Sequence, residues 1–120
     1  MARIGLVALD DRQDELCAWA VTHRDKLSEH QLWGTGTTGG RIIAATGLHV
    51  HLLKSGPLGG DQQLGAMIAE HRLDMLIFFI DPLSAQPHDV DVKALTRLAT
   101  LYDVPLANNK STADAVLAYL

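Results

Sequence analysis

The chain is short of thiols: Cys17 is the only cysteine in 120 residues. One cysteine excludes an internal disulfide and the stapled scaffolds that depend on several. A basic excess is also missing. Ten Lys and Arg stand against fourteen Asp and Glu, for a formal net charge of −4. That removes the electrostatic footprint of nucleic-acid binding. No apolar run approaches the ~20 residues of a membrane span; Leu76-Ile77-Phe78-Phe79-Ile80 is far too short and reads as a buried strand. The N-terminus has no long apolar segment with a cleavage site, so no signal peptide is expected. Linkers, repeats and low-complexity tracts are lacking too. These absences suit one cytoplasmic domain, residues 1–120, and a chain of this length that is 48% apolar can bury a sizeable core.

What the chain does have is alternation. Ile4–Leu9, Gln31–Trp33, Val50–Leu53, Leu73–Ile80 and Val104–Ala107 read as strands. Helical patterns lie between and after them, at about Arg12–Leu27, Thr38–Ala45, Asp61–His71, Val90–Leu101 and Ser111–Leu120. Asp10-Asp11 offers N-cap chemistry to the first helix, Gly47 a stop to the second, and Ser111 with Asp114 a capping box to the last. Five strands alternating with five helices predict an α/β fold: right-handed crossovers and a parallel sheet covered on both sides. In such sheets ligands bind outside the carboxyl ends of the strands.

Two glycine-rich segments follow strands directly. Gly34-Thr35-Gly36-Thr37-Thr38-Gly39-Gly40 combines exposed N–H groups with three hydroxyls. Ser55-Gly56-Pro57-Leu58-Gly59-Gly60-Asp61 ends in a carboxylate at a helix start. Peptide N–H groups at such turns hold anions, and a helix start favours negative charge. Asp10 and Asp81 also follow strands, so three carboxylates and two anion-binding loops are expected at one rim. The pattern points to a small phosphorylated ligand with an acid or base held against it. Each aspartate alone also reads as a helix cap or strand terminator; their expected convergence argues for function. His88, in a proline-fixed loop beside Asp89 and Asp91, is suited to proton transfer and equally to a surface loop. Gly34-x-Gly36-x-x-Gly39 matches a dinucleotide fingerprint, but Lys54, Ser55 and Gly56 occupy the positions where a ribose-binding acid belongs. His49 and His51 share a strand face without a third ligand at a convincing spacing, so neither metal nor cofactor is expected. Arg12, Arg41 and Lys54 are the cations nearest the loops in sequence, each more often a solvated surface charge than a ligand.

Taken together, Gly36-Thr37-Thr38-Gly39, Ser55-Gly56-Pro57-x-Gly59-Gly60-Asp61-Gln62-Gln63, Leu76-Ile77-Phe78-Phe79-x-Asp81-Pro82-Leu83 and Pro87-His88-x-x-Asp91-Val92-Lys93-Ala94-Leu95-x-Arg97-Leu98-Ala99 resemble the methylglyoxal synthase family. The resemblance runs from about Ile4 to Asp114. It implies a three-layer α/β/α fold of Rossmann or flavodoxin type with a five-stranded parallel sheet, assembled as a homohexamer. It also implies a lyase: dihydroxyacetone phosphate loses a proton, forms an enediolate, and expels inorganic phosphate to give methylglyoxal. By that resemblance Asp61 is the general base on carbon. His88 polarises the carbonyl and shuttles protons, and Asp91 and Asp81 orient that apparatus. Thr35, Gly36, Thr37, Thr38, Ser55 and Gly56 hold the phosphate, and Asp10 belongs to the catalytic group. A base beside the carbon and an electrophile at the oxygen are what such a step requires.

The chain departs from the family pattern in two places. The first strand usually ends Ala-His-Asp, with a lysine three residues on; here it ends Ala8-Leu9-Asp10, and Gln13 fills the lysine position. Family members also generally continue beyond the position of Leu120, through a segment that brings a cation to a neighbouring subunit's phosphate. The losses fall on substrate binding rather than on the proton-transfer group. They keep two other readings open: a non-catalytic sensor of phosphate or a phosphometabolite, and an enzyme for a different small phosphorylated ketone or aldehyde.

Overall fold

The structure, a computed structural model, describes residues 1–83 and 89–120. Its elements run β1 (Arg3–Ala8), a 3-10 turn (Asp10–Arg12), α1 (Gln13–Thr22), α2 (Arg24–Leu27), β2 (Gln31–Thr35), α3 (Gly36–Thr46) and β3 (His51–Leu53). After a second 3-10 turn (Gly56–Leu58) come α4 (Gly60–Ala69), β4 (Met75–Phe79), α5 (Asp89–Leu101), β5 (Leu106–Ala107) and α6 (Lys110–Tyr119). The strands form one parallel sheet in the order β3-β2-β1-β4-β5. The expected α/β fold with a five-stranded parallel sheet is therefore the observed one.

The period-two alternation of strand side chains divides the core in two. Ile4, Leu6 and Ala8 of β1 and Met75, Ile77 and Phe79 of β4 face α1, α3 and α6, and bury Leu16, Ile42 and Leu117. Val7, Leu76 and Phe78 face the other way, against Leu64, Met67 and Ile68 of α4 and Leu95 and Ala99 of α5. Being covered on both sides explains why β4 is apolar at every position. Truncating fully buried Leu64 or Ile77 to alanine would cost about 2–5 kcal/mol by lost transfer energy and the cavity left behind.

Several local expectations change. The first helix does not run unbroken to Leu27: it breaks at His23, whose ring lies 2.9 Å from Asp114 on α6. Asp10 and Asp11 do not cap it; they form the 3-10 turn that precedes it, and the N-cap position is Arg12. The capping box on α6 is also replaced. Asn109 is the N-cap and accepts from the Thr112 N–H, while Asp114 accepts from the Trp19 indole at 2.8 Å. β5 is two residues long where four were expected. Gly47 does end α3, in the left-handed region at φ 72°. Among the described residues no helix is long and apolar enough to cross a membrane.

Candidate active site

With β1 at the middle of the sheet and β2 and then β3 to one side of it, the segments after these three strands open on one cavity of about 190 Å³. That is smaller than the ~300–1,000 Å³ of drug-sized pockets, so it suits a ligand of a few heavy atoms. Asp10, Asp11 and Gln13 enter it from the turn after β1, Thr35, Thr37 and Thr38 from the start of α3, and Ser55, Gly56 and Asp61 from the loop and helix after β3. Sites 25 to 50 residues apart in sequence thus share one wall.

The start of α3 is the segment expected to hold an anion, and Thr35, Thr37 and Thr38 there line the cavity. Thr35 occupies the N-cap position with extended backbone, yet its side chain makes no cap hydrogen bond. Side-chain capping, the plain alternative for this segment, is therefore not what Thr35 does. The first N–H groups of a helix have no intrahelical acceptor, and the macrodipole places roughly half a positive charge there. Ser55 adjoins this cradle: a Cβ on Gly36 would lie 3.0 Å from Ser55 Oγ. The two glycine loops, read separately in the sequence, are in contact.

Asp61 is not a helix cap either. Gly59 is the N-cap of α4, at φ 112°, and Asp61 is the second helical residue, 7% exposed. Two close approaches hold it there. Gly60 runs so near the Lys54 carbonyl that a Cβ would meet its oxygen at 1.8 Å, and a Cβ on Gly56 would lie 3.2 Å from Asp61 Oδ2. Glycine at these positions lets the Ser55–Gly60 turn close onto the carboxylate. The Gln63 side chain accepts from the Lys54 N–H at 2.8 Å and ties the turn to α4.

Two other sequence candidates, Asp81 and Asp91, are not part of this lining. Asp81 follows β4 as expected, but its Oδ1 accepts from the Leu83 N–H at 3.0 Å and lies 3.8 Å from Arg12 Nη2. Arg12 also binds Glu15, so it is turned toward acids rather than the cradle. Asp91, on α5, accepts from Gln62 at 3.0 Å and borders a second cavity of about 310 Å³ between α4 and α5. Asp61 lines both cavities. His88 lies outside the described residues. His49 and His51 are T-shaped neighbours with centroids 4.7 Å apart, and no group of three or more metal-ligating side chains occurs among the described residues. Cys17 is buried, and burial pushes its thiol pKa up against the opposing influence of Arg41, so it is unsuited to act as a nucleophile.

Reading the sequence alone left three parts of the lining unassigned. Leu9, Pro57 and Phe78 supply apolar wall, and Asp11 adds a carboxylate. Gln13 was notable only as a departure from a pattern. Here it is 8% exposed and donates from Nε2 to Asp10 Oδ1 at 3.3 Å. Its place one turn after a strand end, beside the glycine loops, was the available signal.

Comparison with known proteins gives a consistent picture. The family model described as MGS-like domain matches residues 15–108. The chain is 60% identical over 116 residues to a methylglyoxal synthase of Leptospira interrogans, covering 97% of this chain and 78% of that protein. It is 54% identical over 114 residues to one of Yersinia pestis, covering 95% and 74%. A crystal structure of methylglyoxal synthase from Elizabethkingia anophelis superposes with a TM-score of 0.92 at 50% identity, covering 98% of this chain and 77% of that one.

Proposed function

The chain belongs to the methylglyoxal synthase family, and from that premise we propose that it converts dihydroxyacetone phosphate to methylglyoxal and inorganic phosphate. The observation that carries this reading is the burial of Asp61 on the wall of a small cavity that the threonines at the start of α3 also line. A carboxylate and an oxyanion cradle in one small cavity suit a substrate with an acidic carbon a few bonds from a phosphate.

Asp61 removes a proton from the carbon beside the carbonyl, and the electrons move to the carbonyl oxygen as an enediolate. A proton then passes from the hydroxyl on the deprotonated carbon to the former carbonyl oxygen. The charge left on that hydroxyl oxygen collapses to an aldehyde, the carbon–carbon double bond shifts toward the phosphate-bearing carbon, and the bond from that carbon to the phosphate oxygen breaks, its electron pair leaving with phosphate. The enol left behind tautomerises to methylglyoxal. Thr35, Gly36, Thr37, Thr38, Ser55 and Gly56 hold the phosphate in the ground state and receive the charge that develops on it as it departs. Asp10 orders the floor of the cavity through Gln13. The resemblance assigns His88 to the carbonyl oxygen and Asp91 and Asp81 to the support of that apparatus. No cofactor or metal enters the step, because the acidity of the carbon comes from the adjacent carbonyl.

We take residues 1–120 as one such domain acting in the cytoplasm, and the active form as a homo-oligomer, a hexamer by resemblance. Half-buried Trp33, stacked on exposed His51 at 4.7 Å, lies at the β2–β3 edge of the sheet, where a second copy has an aromatic surface to cover. The non-catalytic sensor rests on Leu9 and Gln13 alone, and 54–60% identity to proteins named as synthases favours turnover. Phosphate release from dihydroxyacetone phosphate, with light scattering for the assembly, tests both parts. Steady release that disappears in Asp61→Asn supports the reading, and no release at high enzyme and substrate concentration ends it.

A further inference from the structure

The cavity has an electrostatic problem. Asp10, Asp11 and Asp61 line it, and among the described residues no lysine or arginine does. A phosphate monoester nevertheless brings about −1.5 to −2 charges at pH 7. The start of α3 offsets only part of that, roughly half a charge. Positive charge has to reach the phosphate from behind the wall, and Arg41 is placed to supply it. It lies on α3, the helix whose first turn is the cradle. Its Nη1 is 3.5 Å from Gln13 Oε1, and its Nη2 is paired with Asp14.

We infer that Arg41 is a positioning residue for phosphate binding, acting through Gln13. The inference rests on the reading that this cavity takes the phosphate of the substrate. A guanidinium has only donors and a carboxylate only acceptors. Gln13 stands between Arg41 and Asp10, so one amide orientation satisfies both neighbours: Oε1 toward Arg41, Nε2 toward Asp10. The flipped amide would set donor against donor and oxygen against oxygen. The contacts are long, at 3.5 and 3.3 Å, so neither is strong alone; what they fix is direction. With the amide so held, one Nε2 hydrogen goes to Asp10 and the other is presented to a phosphate oxygen. The Arg41 charge polarises the amide in the same sense. Gln13 and Arg41 together then do what a single cation in the wall would do, without a lysine among three carboxylates. Arg41 is half-exposed and Asp14 exposed, so their pair contributes little to folding and its removal leaves the fold in place.

The test is calorimetric titration of inorganic phosphate beside steady-state turnover of dihydroxyacetone phosphate, on the full chain, with thermal melting to confirm folding. Arg41→Ala is expected to raise the phosphate Kd and the KM together, by about five- to tenfold at low ionic strength, less than a full charge-assisted hydrogen bond because the contact is long. kcat stays within about twofold, because uniform binding is what is lost. The gap from the native protein narrows in salt well above ~0.1 M, where the Debye length falls below about 10 Å. Arg41→Lys restores the charge without the fork and falls between the two. Gln13→Ala weakens phosphate binding, and adding Arg41→Ala to it weakens it no further. An unchanged Kd in Arg41→Ala, or additive losses in the double variant, overturns the inference. If the native protein shows these phosphate dependences but releases none from dihydroxyacetone phosphate, the lyase reading fails and the role of Arg41 stands. If it turns over and Arg41→Ala alters neither Kd nor KM, the role of Arg41 fails and the lyase reading stands.

Discussion

The two ends of the sheet solve opposite problems with similar residues. At the amino end, polar groups satisfy one another. Arg3 gives its backbone N–H to Asp74 at 2.7 Å and its side chain to Asp74 and to the His71 carbonyl, and the Ala2 N–H meets His30 Nδ1 at 3.0 Å. The arginine bond holds the Asp74 carboxyl below the usual carboxylate range, against the upward push of partial burial. At the carboxyl end, α3 and α4 begin without side-chain caps, three carboxylates line the cavity, and the Arg41 guanidinium reaches that lining through the Gln13 amide. One end ties the strands' starts together through hydrogen bonds; the other brings helix starts and carboxylates to the lining of a cavity.

Substitutions at each end test that division. The largest effect belongs to Asp61→Asn, expected to lower kcat by about 10²–10⁴-fold as general-base catalysis is lost. Its melting temperature should change little, and a large fall in both would join the two roles that the comparison separates. Next comes Gly60→Ala, whose Cβ has no room beside the Lys54 carbonyl. A destabilisation of about 1–3 kcal/mol in urea melts is expected, with weakened phosphate binding as the turn shifts away from Asp61. At the opposite end Asp74→Asn should cost about 1 kcal/mol, since the pair is over a third exposed and screened, and should leave kcat and KM unchanged. The smallest effect is its pH dependence. A carboxyl with a depressed folded pKa contributes stability that is fully present above its unfolded value, near 3.9, and is lost as pH falls through the folded one. The stability gap between native protein and Asp74→Asn should therefore be flat near neutrality and close only below about pH 4.

Much of this was legible in the chain because the signals are local. Apolar runs marked the strands, Gly47 marked the end of α3, and glycine with threonine marked the cradle. Some of the expectations that changed concern side chains claimed by partners outside their own segment. Asp114 pattern-matches a capping box, but Trp19 and His23, more than ninety residues away, take its carboxylate. Asp10, Asp61 and Asp81 looked alike as acids after strands; the turn onto Gly56 brings Asp61 into the cavity, while Arg12 and the Leu83 N–H engage Asp81. Arg41 read as a solvated surface charge because nothing near it in sequence reveals that α3 packs against α1.

By itself the sequence determined which segments extend, which coil and where the chain turns on glycine, since periodicity and glycine chemistry act over a few residues. Only the tertiary structure decided that β1 lies between β2 and β4, and hence which loops meet and which charges face one another. Those outcomes depend on crossovers and on packing between helices far apart in the chain, where electrostatic and hydrogen-bond partners are chosen by distance in space.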